Sequence, residues 1–249
     1  MPLVETEAIV LRSYRLAEAD KIVSLFTRQI GRIRAVAAGA QRTKSRYGGT
    51  LESLGHIRLW LYQRENRDLA RLNSVEIIES FFDLQKDYAS HLAGQYLVEV
   101  SERLLPEREP SDRTFRLLLA VLRSLKRSRE VERPLLYFNY WILRLGGFLP
   151  DLTHCAGCGR MLADETVSYT AALPGLYGRE CRQDIAAAGS ISARSLAEMQ
   201  NACLAPLEKW IVEDSKSSVI SECRRFFESM VEAQAERKLV TRSMLAEVT

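Results

Sequence analysis

The 249-residue sequence lacks several features that define common functional classes. It has no run of about 18 apolar residues, so no membrane-spanning helix is predicted, and its start has neither the basic flank nor the apolar segment of a signal peptide. Only three histidines occur, and the glycine-rich motifs of nucleotide-binding proteins and serine hydrolases are absent. We therefore expect a cytoplasmic protein that uses no nucleotide and is not an enzyme.

Positive charge is present but unevenly distributed. Lysine and arginine number 35 against 32 acidic residues, a net charge of only +3. No acidic residue occurs between Asp20 and Glu52, however, and a surface with one sign of charge suits a polyanion because cations placed on phosphates release counterions. The alternative is a solvated face. The seven cations of this segment are Lys21, Arg28, Arg32, Arg34, Arg42, Lys44 and Arg46.

The first 80 residues predict a small antiparallel barrel. β-branched residues and period-two alternation are typical of half-buried strands, and short connections join them, including a turn at 64–67 and a glycine-bounded loop at 39–50. In the third strand, Ile33 and Val36 are predicted to point away from the face that presents the neighbouring arginines. The five predicted strands cover residues 3–12, 20–29, 32–36, 54–63 and 68–78.

From about residue 83 the apolar period becomes helical. One helix is predicted to end before Leu105, others cover 112–129 and 134–145, and Ser192 is placed to cap a further helix. The second helix is amphipathic, and its polar face carries a stripe of three arginines. The stripe is a candidate for a second nucleic-acid-binding surface or for binding an acidic peptide, with a solvated helix face as the alternative. Its members are Arg116, Arg123 and Arg127.

Three of the five cysteines have the spacing of a metal site. Cys155-x-x-Cys158-Gly is a knuckle that brings two thiolates to one tetrahedral ion, and Cys181 follows after 22 residues. Asp184 stands where a fourth cysteine would complete a second knuckle, so a structural zinc site with Asp184, His154 or water as fourth ligand is one interpretation. Thiol redox chemistry is the other. Cys203 and Cys223 are predicted to be buried in helices.

The sequence resembles the bacterial recombination mediator family RecO over essentially its whole length. The resemblance is most specific in the first fifty residues, which include Gly31-Arg-Ile-Arg-Ala-Val and Ser45-Arg-Tyr-Gly-Gly-Thr. It departs from the family at Asp184, where the second knuckle has cysteine. The segments that carry it are 9–28, 31–42, 44–52, 148–152 with the first cysteine knuckle, and 238–245.

The resemblance implies an α+β multidomain fold. It places an N-terminal five-stranded OB-fold β-barrel in residues 1–80 and an α-helical domain in 81–150 and 186–249. A zinc-knuckle-like insert in 151–185 would hold at most one structural Zn²⁺ through Cys155, Cys158, Cys181 and Asp184.

The resemblance also implies a function in DNA repair and homologous recombination. Family members bind single- and double-stranded DNA, anneal complementary strands without ATP and help load recombinase onto strands coated by single-strand binding protein. They contact the acidic C-terminal tail of that protein and act with RecR and RecF. The implied location is the nucleoid in the bacterial cytoplasm.

An OB barrel binds a strand with cations along the phosphates and aromatic side chains on the bases. Tyr47 is a candidate for base stacking, with anchoring of its loop as the alternative role, and Tyr14 is a secondary candidate. The predicted DNA-binding residues are Lys21, Arg32, Arg34, Arg42, Lys44, Arg46 and Tyr47.

Three competing classes are consistent with parts of the sequence. The cysteines also suit a zinc- or thiol-dependent enzyme. A basic barrel alone does not distinguish DNA from RNA binding, and a structural adaptor would bind neither. The family resemblance favours the recombination mediator.

Overall fold

The computed structural model describes residues 3–63, 68–170, 172–201, 206–207 and 217–248. The chain divides into two compact units, Met1–Arg127 and Ser128–Thr249. The turn predicted at 64–67 and the predicted burial of Cys203 lie outside the described residues.

The first unit contains the predicted five-stranded barrel. The barrel is closed in the order β1-β2-β3-β5-β4, and every pair is antiparallel except β3 with β5. This is the strand order of an OB-like barrel, so the predicted fold class is confirmed. The strands are β1 (Leu3–Leu16), β2 (Asp20–Thr27), β3 (Gly31–Ala37), β4 (His56–Tyr62) and β5 (Leu69–Glu79).

Strict alternation along β3 positions the charged side chains of the barrel. Ile33 and Ala35 are buried in the barrel core, whereas Arg34 is exposed and Val36 is partly exposed. The predicted direction of Val36 was therefore wrong. Because side chains two residues apart share a face of a strand, Val36 lies on the outer face with Arg34.

Helices α1 (Tyr88–Leu104) and α2 (Asp112–Ser128) follow the barrel. The Asp87 carboxylate caps α1 by accepting from the backbone N–H of Ser90 at 2.8 Å. Phe115 of α2 contacts Phe26 on β2, with 5.9 Å between ring centroids. This contact explains why Phe26 is fully buried although it lies on the outer side of the barrel.

Gly31, at the start of β3, lies where the backbone of the segment after α1 approaches the barrel closely. Its φ is +85°, and an added Cβ would lie 2.4 Å from the carbonyl oxygen of Glu109. We expect Gly31→Ala to lower the free energy of unfolding by about 3 kcal/mol or more, from backbone strain and overlap together. Urea unfolding measures this effect. Gly49→Ala is the control, since Gly49 has open space at its Cβ position, and equal midpoints for the two variants would contradict the prediction.

The second unit is mainly helical and includes the cysteine insert. Helices α3 and α5 pack together, and a buried ion-pair cluster joins Arg224 and Glu228 of α5 to Arg242 of α6. None of the described helices is long and apolar enough to cross a membrane. The elements are α3 (Glu132–Leu145), β6 (Val167–Tyr169), β7 (Gly189–Ile191), α4 (Ala193–Asn201), α5 (Ser217–Ala235) and α6 (Val240–Ala246).

Candidate nucleic-acid interface and cysteine cluster

A groove of about 700 Å³ lies between the start of β2, the end of β3 and the start of β5. Its walls combine apolar side chains with charged groups of both signs. In OB folds, the face of strands 2 and 3 and the loops beside it are where oligonucleotides bind. The lining residues are Asp20, Val36, Ala38, Asp68, Leu69, Ala70 and Arg71.

A row of cross-strand neighbours runs from this groove across the outer face of the barrel. Tyr14 of β1 pairs with Ile22 of β2, Ile22 pairs with Val36, and Val36 pairs with Arg71. Tyr14 is 48% exposed. An exposed aromatic ring thus shares a row of cross-strand neighbours with two residues of the groove.

Four of the predicted DNA-binding cations are exposed, one on β3 beside the groove and three in the loop that follows this strand. Arg34 pairs with Leu69 in the register and so lies next to the groove, and the other three are in the loop between β3 and β4. Among the described residues, no carboxylate forms an ion pair with any of the four. Their charge is therefore available to an external anion. These four, called the cation set below, are Arg34, Arg42, Lys44 and Arg46.

The remaining cations of the acid-free segment are less available. Arg28 binds Asp112 at 2.6 Å and Glu7 at 3.5 Å. Arg32 pairs with Glu107 at 3.3 Å and donates to the carbonyl oxygen of Leu105 at 3.0 Å. Arg32 is therefore held by the segment after α1, whereas Arg34 on the same strand face is not, and DNA binding by Arg32 stays a prediction. Lys21 is partly buried.

Tyr47 is an anchor of the basic loop. The side chain is 1% exposed, and its hydroxyl donates to the carbonyl oxygen of Leu72 at 3.1 Å. The Arg46 guanidinium lies over the ring at 5.0 Å and donates to the same hydroxyl. A ring covered in this way offers no free face to a base, so the stacking role predicted for Tyr47 is corrected in favour of the anchoring alternative.

The arginine stripe of α2 is exposed, but two of its members have acidic neighbours. Arg116 pairs with Asp112 at 3.0 Å, one turn earlier on the helix. Arg123 pairs with Glu79, the last residue of β5, at 2.8 Å. Arg127 is exposed and has no ion-pair partner in the described parts of the chain. The exposed Ile78 and Phe82 flank the segment that Arg123 contacts, so apolar surface lies beside the stripe.

The three predicted cysteine ligands come together in the second unit. The sulfur atoms of Cys155, Cys158 and Cys181 all lie within 4.8 Å of one another. Gly157 allows this approach, since a Cβ there would lie 3.0 Å from the Cys181 Sγ atom. Two short chain segments thus form one compact thiol cluster.

The surroundings of the cluster favour a thiolate at Cys155. Burial opposes ionisation of this thiol, but donors led by the backbone N–H of Gly178 outweigh it and lower the pKa of Cys155 to about 7. The thiols of Cys158 and Cys155 raise the pKa of Cys181 to about 12. Cys155 therefore ionises more readily than Cys181.

Asp184 does not join the cluster as predicted. Its backbone N–H donates to the carbonyl oxygen of Cys181 at 3.3 Å, but the group of potential ligands formed by the described residues contains the three cysteines alone. The other candidate, His154, binds Asp151 through Nδ1 at 2.8 Å. Neither predicted side chain is positioned as a fourth ligand.

Comparison with known proteins gives a consistent assignment. The N-terminal family model, "Recombination protein O N terminal", matches residues 1–81, and "Recombination protein O C terminal" matches residues 85–243. The chain belongs to the RecO family. The "DNA repair protein RecO" of Koribacter versatilis is 40% identical over 98% of both chains. That of Symbiobacterium thermophilum is 30% identical over 98% of this chain and 97% of the relative. The RecO resemblance in the sequence is thereby confirmed, and with it a role in DNA repair.

The cysteine cluster fits the metal that the RecO resemblance implies. Zn–S bonds of about 2.3 Å place tetrahedral sulfurs about 3.8 Å apart, and the observed separations of up to 4.8 Å allow closure around an ion. The three thiolates supply three of the four ligands that a tetrahedral Zn²⁺ requires, and the described residues place no fourth ligand beside them.

Sequence reasoning gave little weight to two residues in the row of cross-strand neighbours beside the groove. Tyr14 was only a secondary candidate, and Arg71 was not considered. Arg71 lines the groove, because β5 pairs in parallel with β3 and places Arg71 beside Val36, and Tyr14 shares this row of cross-strand neighbours through Ile22. The signal present in the sequence was that each residue occupies a strand position whose side chain points out of the barrel.

Proposed function

We propose that this RecO-family chain binds single- and double-stranded DNA, anneals complementary strands without ATP, and helps load recombinase onto strands coated by single-strand binding protein. The observation that carries the proposal is the cation set beside the groove, exposed and without carboxylate partners among the described residues. It acts without covalent chemistry, and so not as an enzyme.

The barrel face has the two elements that single-strand binding requires. The cation set neutralises phosphates along the backbone, and the ring of Tyr14 gives a base a surface for stacking. Arg71 contributes a further guanidinium from the groove. Since these contacts use phosphates and ring faces, they tolerate any sequence.

Annealing follows from charge neutralisation. Two complementary strands repel through their phosphates, and a cationic surface lowers this repulsion while the hydrogen-bonding edges of the bases stay free to pair. The energy then comes from base pairing itself, so no nucleotide hydrolysis is needed.

The cysteine cluster has a structural role in this proposal. Cys155, Cys158 and Cys181 would hold one Zn²⁺, with water or another oxygen ligand at the fourth position. When bound, the ion fixes the loop of the first knuckle against the segment around Cys181.

We also propose that the α2 stripe receives the acidic tail of single-strand binding protein, and that RecR and RecF are further partners. Arg123 and Arg127 supply charge, and Ile78 and Phe82 supply apolar surface beside it. The family assignment supports these partners and an action at the nucleoid in the cytoplasm.

The function is tested by annealing. Complementary strands coated with single-strand binding protein are mixed with the full chain and no nucleotide, and duplex formation is followed by fluorescence quenching of end labels. We expect acceleration that matched RNA strands do not show. No acceleration of DNA annealing would overturn the proposal, and equal acceleration with RNA would favour the RNA-binding class.

Replacing Arg116, Arg123 and Arg127 with alanine is expected to weaken binding of an acidic tail peptide by roughly tenfold. Exposed ion pairs contribute about 0.2–1 kcal/mol each, and three are removed. Affinity for naked single strands should change little. Fluorescence anisotropy measures both.

A control with the same charge change replaces Arg58, Lys86 and Arg103, which are exposed elsewhere in the first unit. Equal loss of peptide and strand binding in the stripe variant would reject the assignment of the stripe to the tail.

A further inference from the structure

One face of α3 carries an aromatic and arginine cluster that the proposed function does not use. Tyr137, Trp141 and Arg144 follow one another at spacings of four and three residues, which places them in a row along the helix. Tyr137 and Trp141 are partly exposed and Arg144 is exposed. Phe148, 40% exposed, follows where Gly146 and Gly147 end the helix. We call Tyr137, Trp141 and Arg144 the α3 row.

The rings of the α3 row pack on buried aromatic side chains of the second unit. Tyr137 and Trp141 have ring centroids 6.0 Å apart, and Trp141 meets the buried Tyr140 edge to face at 5.5 Å. Tyr140 in turn packs on Phe227 of α5 at 5.7 Å. The exposed parts of the row are therefore fixed to the core of the second unit, and little ordering is required when a ligand binds.

Arg144 adds a positive charge to the α3 row. Its guanidinium lies 5.1 Å from the Trp141 ring centroid and 5.9 Å from that of Tyr140, and it donates to the Tyr140 hydroxyl at 2.7 Å. Within the described segments, no carboxylate pairs with it. A flat cation is thus held at the surface beside an aromatic ring that stays partly exposed.

This combination matches a single-stranded nucleic acid better than a duplex or a peptide. Bases stack on exposed ring faces and on guanidinium planes, and an uncancelled guanidinium binds the adjacent phosphate. A duplex hides its base faces, and an apolar peptide gains nothing from the free charge.

We propose that the α3 row is a second single-strand binding site, in which Tyr137 and Trp141 stack on bases and Arg144 binds phosphate. The inference rests on the proposed function, since the annealing of two strands would use one binding site for each strand. Arg116 and Arg123 of α2, which have acidic neighbours, are less suited to this role.

The site is tested by counting strands. Native mass spectrometry of the full chain with an oligo(dT) of eight nucleotides is expected to show two strands per chain. Tyr137→Leu combined with Arg144→Gln should leave one strand bound and slow annealing by about tenfold. The control Tyr88→Leu combined with Arg103→Gln changes the same residue types on α1, where both are exposed, and should keep two.

A second measurement does not depend on variant folding. Photocrosslinking of the unmodified chain to oligo(dT) carrying 5-iododeoxyuridine should label the tryptic peptide 130–144 as well as a peptide with Tyr14. Labelling of the Tyr14 peptide alone, with one strand per chain, would overturn the second site while leaving the proposed function intact. Labelling of the 130–144 peptide alone would instead contradict the barrel site.

Discussion

Replacing the cation set, Arg34, Arg42, Lys44 and Arg46, with alanine is expected to cause the largest loss of DNA binding of any surface change in the first unit. Each phosphate contact with a single strand contributes about 0.7 to the slope of log K against log salt concentration. Four lost contacts lower the slope by about 2.8. At 0.1 M salt this corresponds to an affinity roughly 600-fold lower, and the two proteins converge near 1 M salt.

The measurement is a salt titration of single-strand affinity by fluorescence anisotropy. The control replaces four exposed cations outside the face, Arg58, Lys86, Arg103 and Arg113, and so has the same net charge. We expect it to change the slope by less than about 1. If the two quadruple variants lose affinity equally, binding depends on net charge and the barrel face is not the site.

Cys155→Ser is expected to abolish zinc binding by the second unit. A hydroxyl at this position removes the ligand that the surrounding backbone N–H groups favour as a thiolate. Affinity for Zn²⁺ should fall by more than about 100-fold, beyond the 10- to 100-fold typical of losing a supporting hydrogen bond around a ligand. Zinc content per chain by mass spectrometry and the Co²⁺ absorption of thiolate ligation check this result.

Two controls separate ligation from general damage. Cys223→Ala changes a buried cysteine of α5 outside the cluster and should retain zinc. Asp184→Asn should also retain zinc, because Asp184 stands outside the ligand group of the described residues. Full zinc content in Cys155→Ser would show that the cluster is not a metal site.

Local sequence patterns were sufficient for the elements of the fold. Strand-forming composition, short connections and, in the third strand, period-two alternation predicted the five strands, and the change to helical spacing predicted α1, α2 and α3 within two residues at most ends. These features depend on neighbours in the chain, which a sequence displays directly. The direction of Val36 was the exception, because Val36 lies two residues after Arg34 and shares its outward face of β3.

The candidate site was harder to predict because its decisive contacts are distant in sequence. The partners of Arg28 and Arg32 are Asp112 and Glu107, which follow them by about 80 residues. No local pattern shows that these carboxylates return to the barrel. Tyr47 similarly loses its free ring face to the core through Leu72, a contact made by the folding of a whole loop.

The anchoring of Tyr47 has a consequence for how the basic loop meets its ligand. With one side chain fixed in the barrel core, Arg46 and its neighbours are already confined before any strand arrives. A mobile loop would lose conformational entropy when it binds DNA. Here that entropy is already lost during folding, so it does not weaken binding. The folded protein therefore sets the spacing between the cationic side chains of the loop before DNA binds.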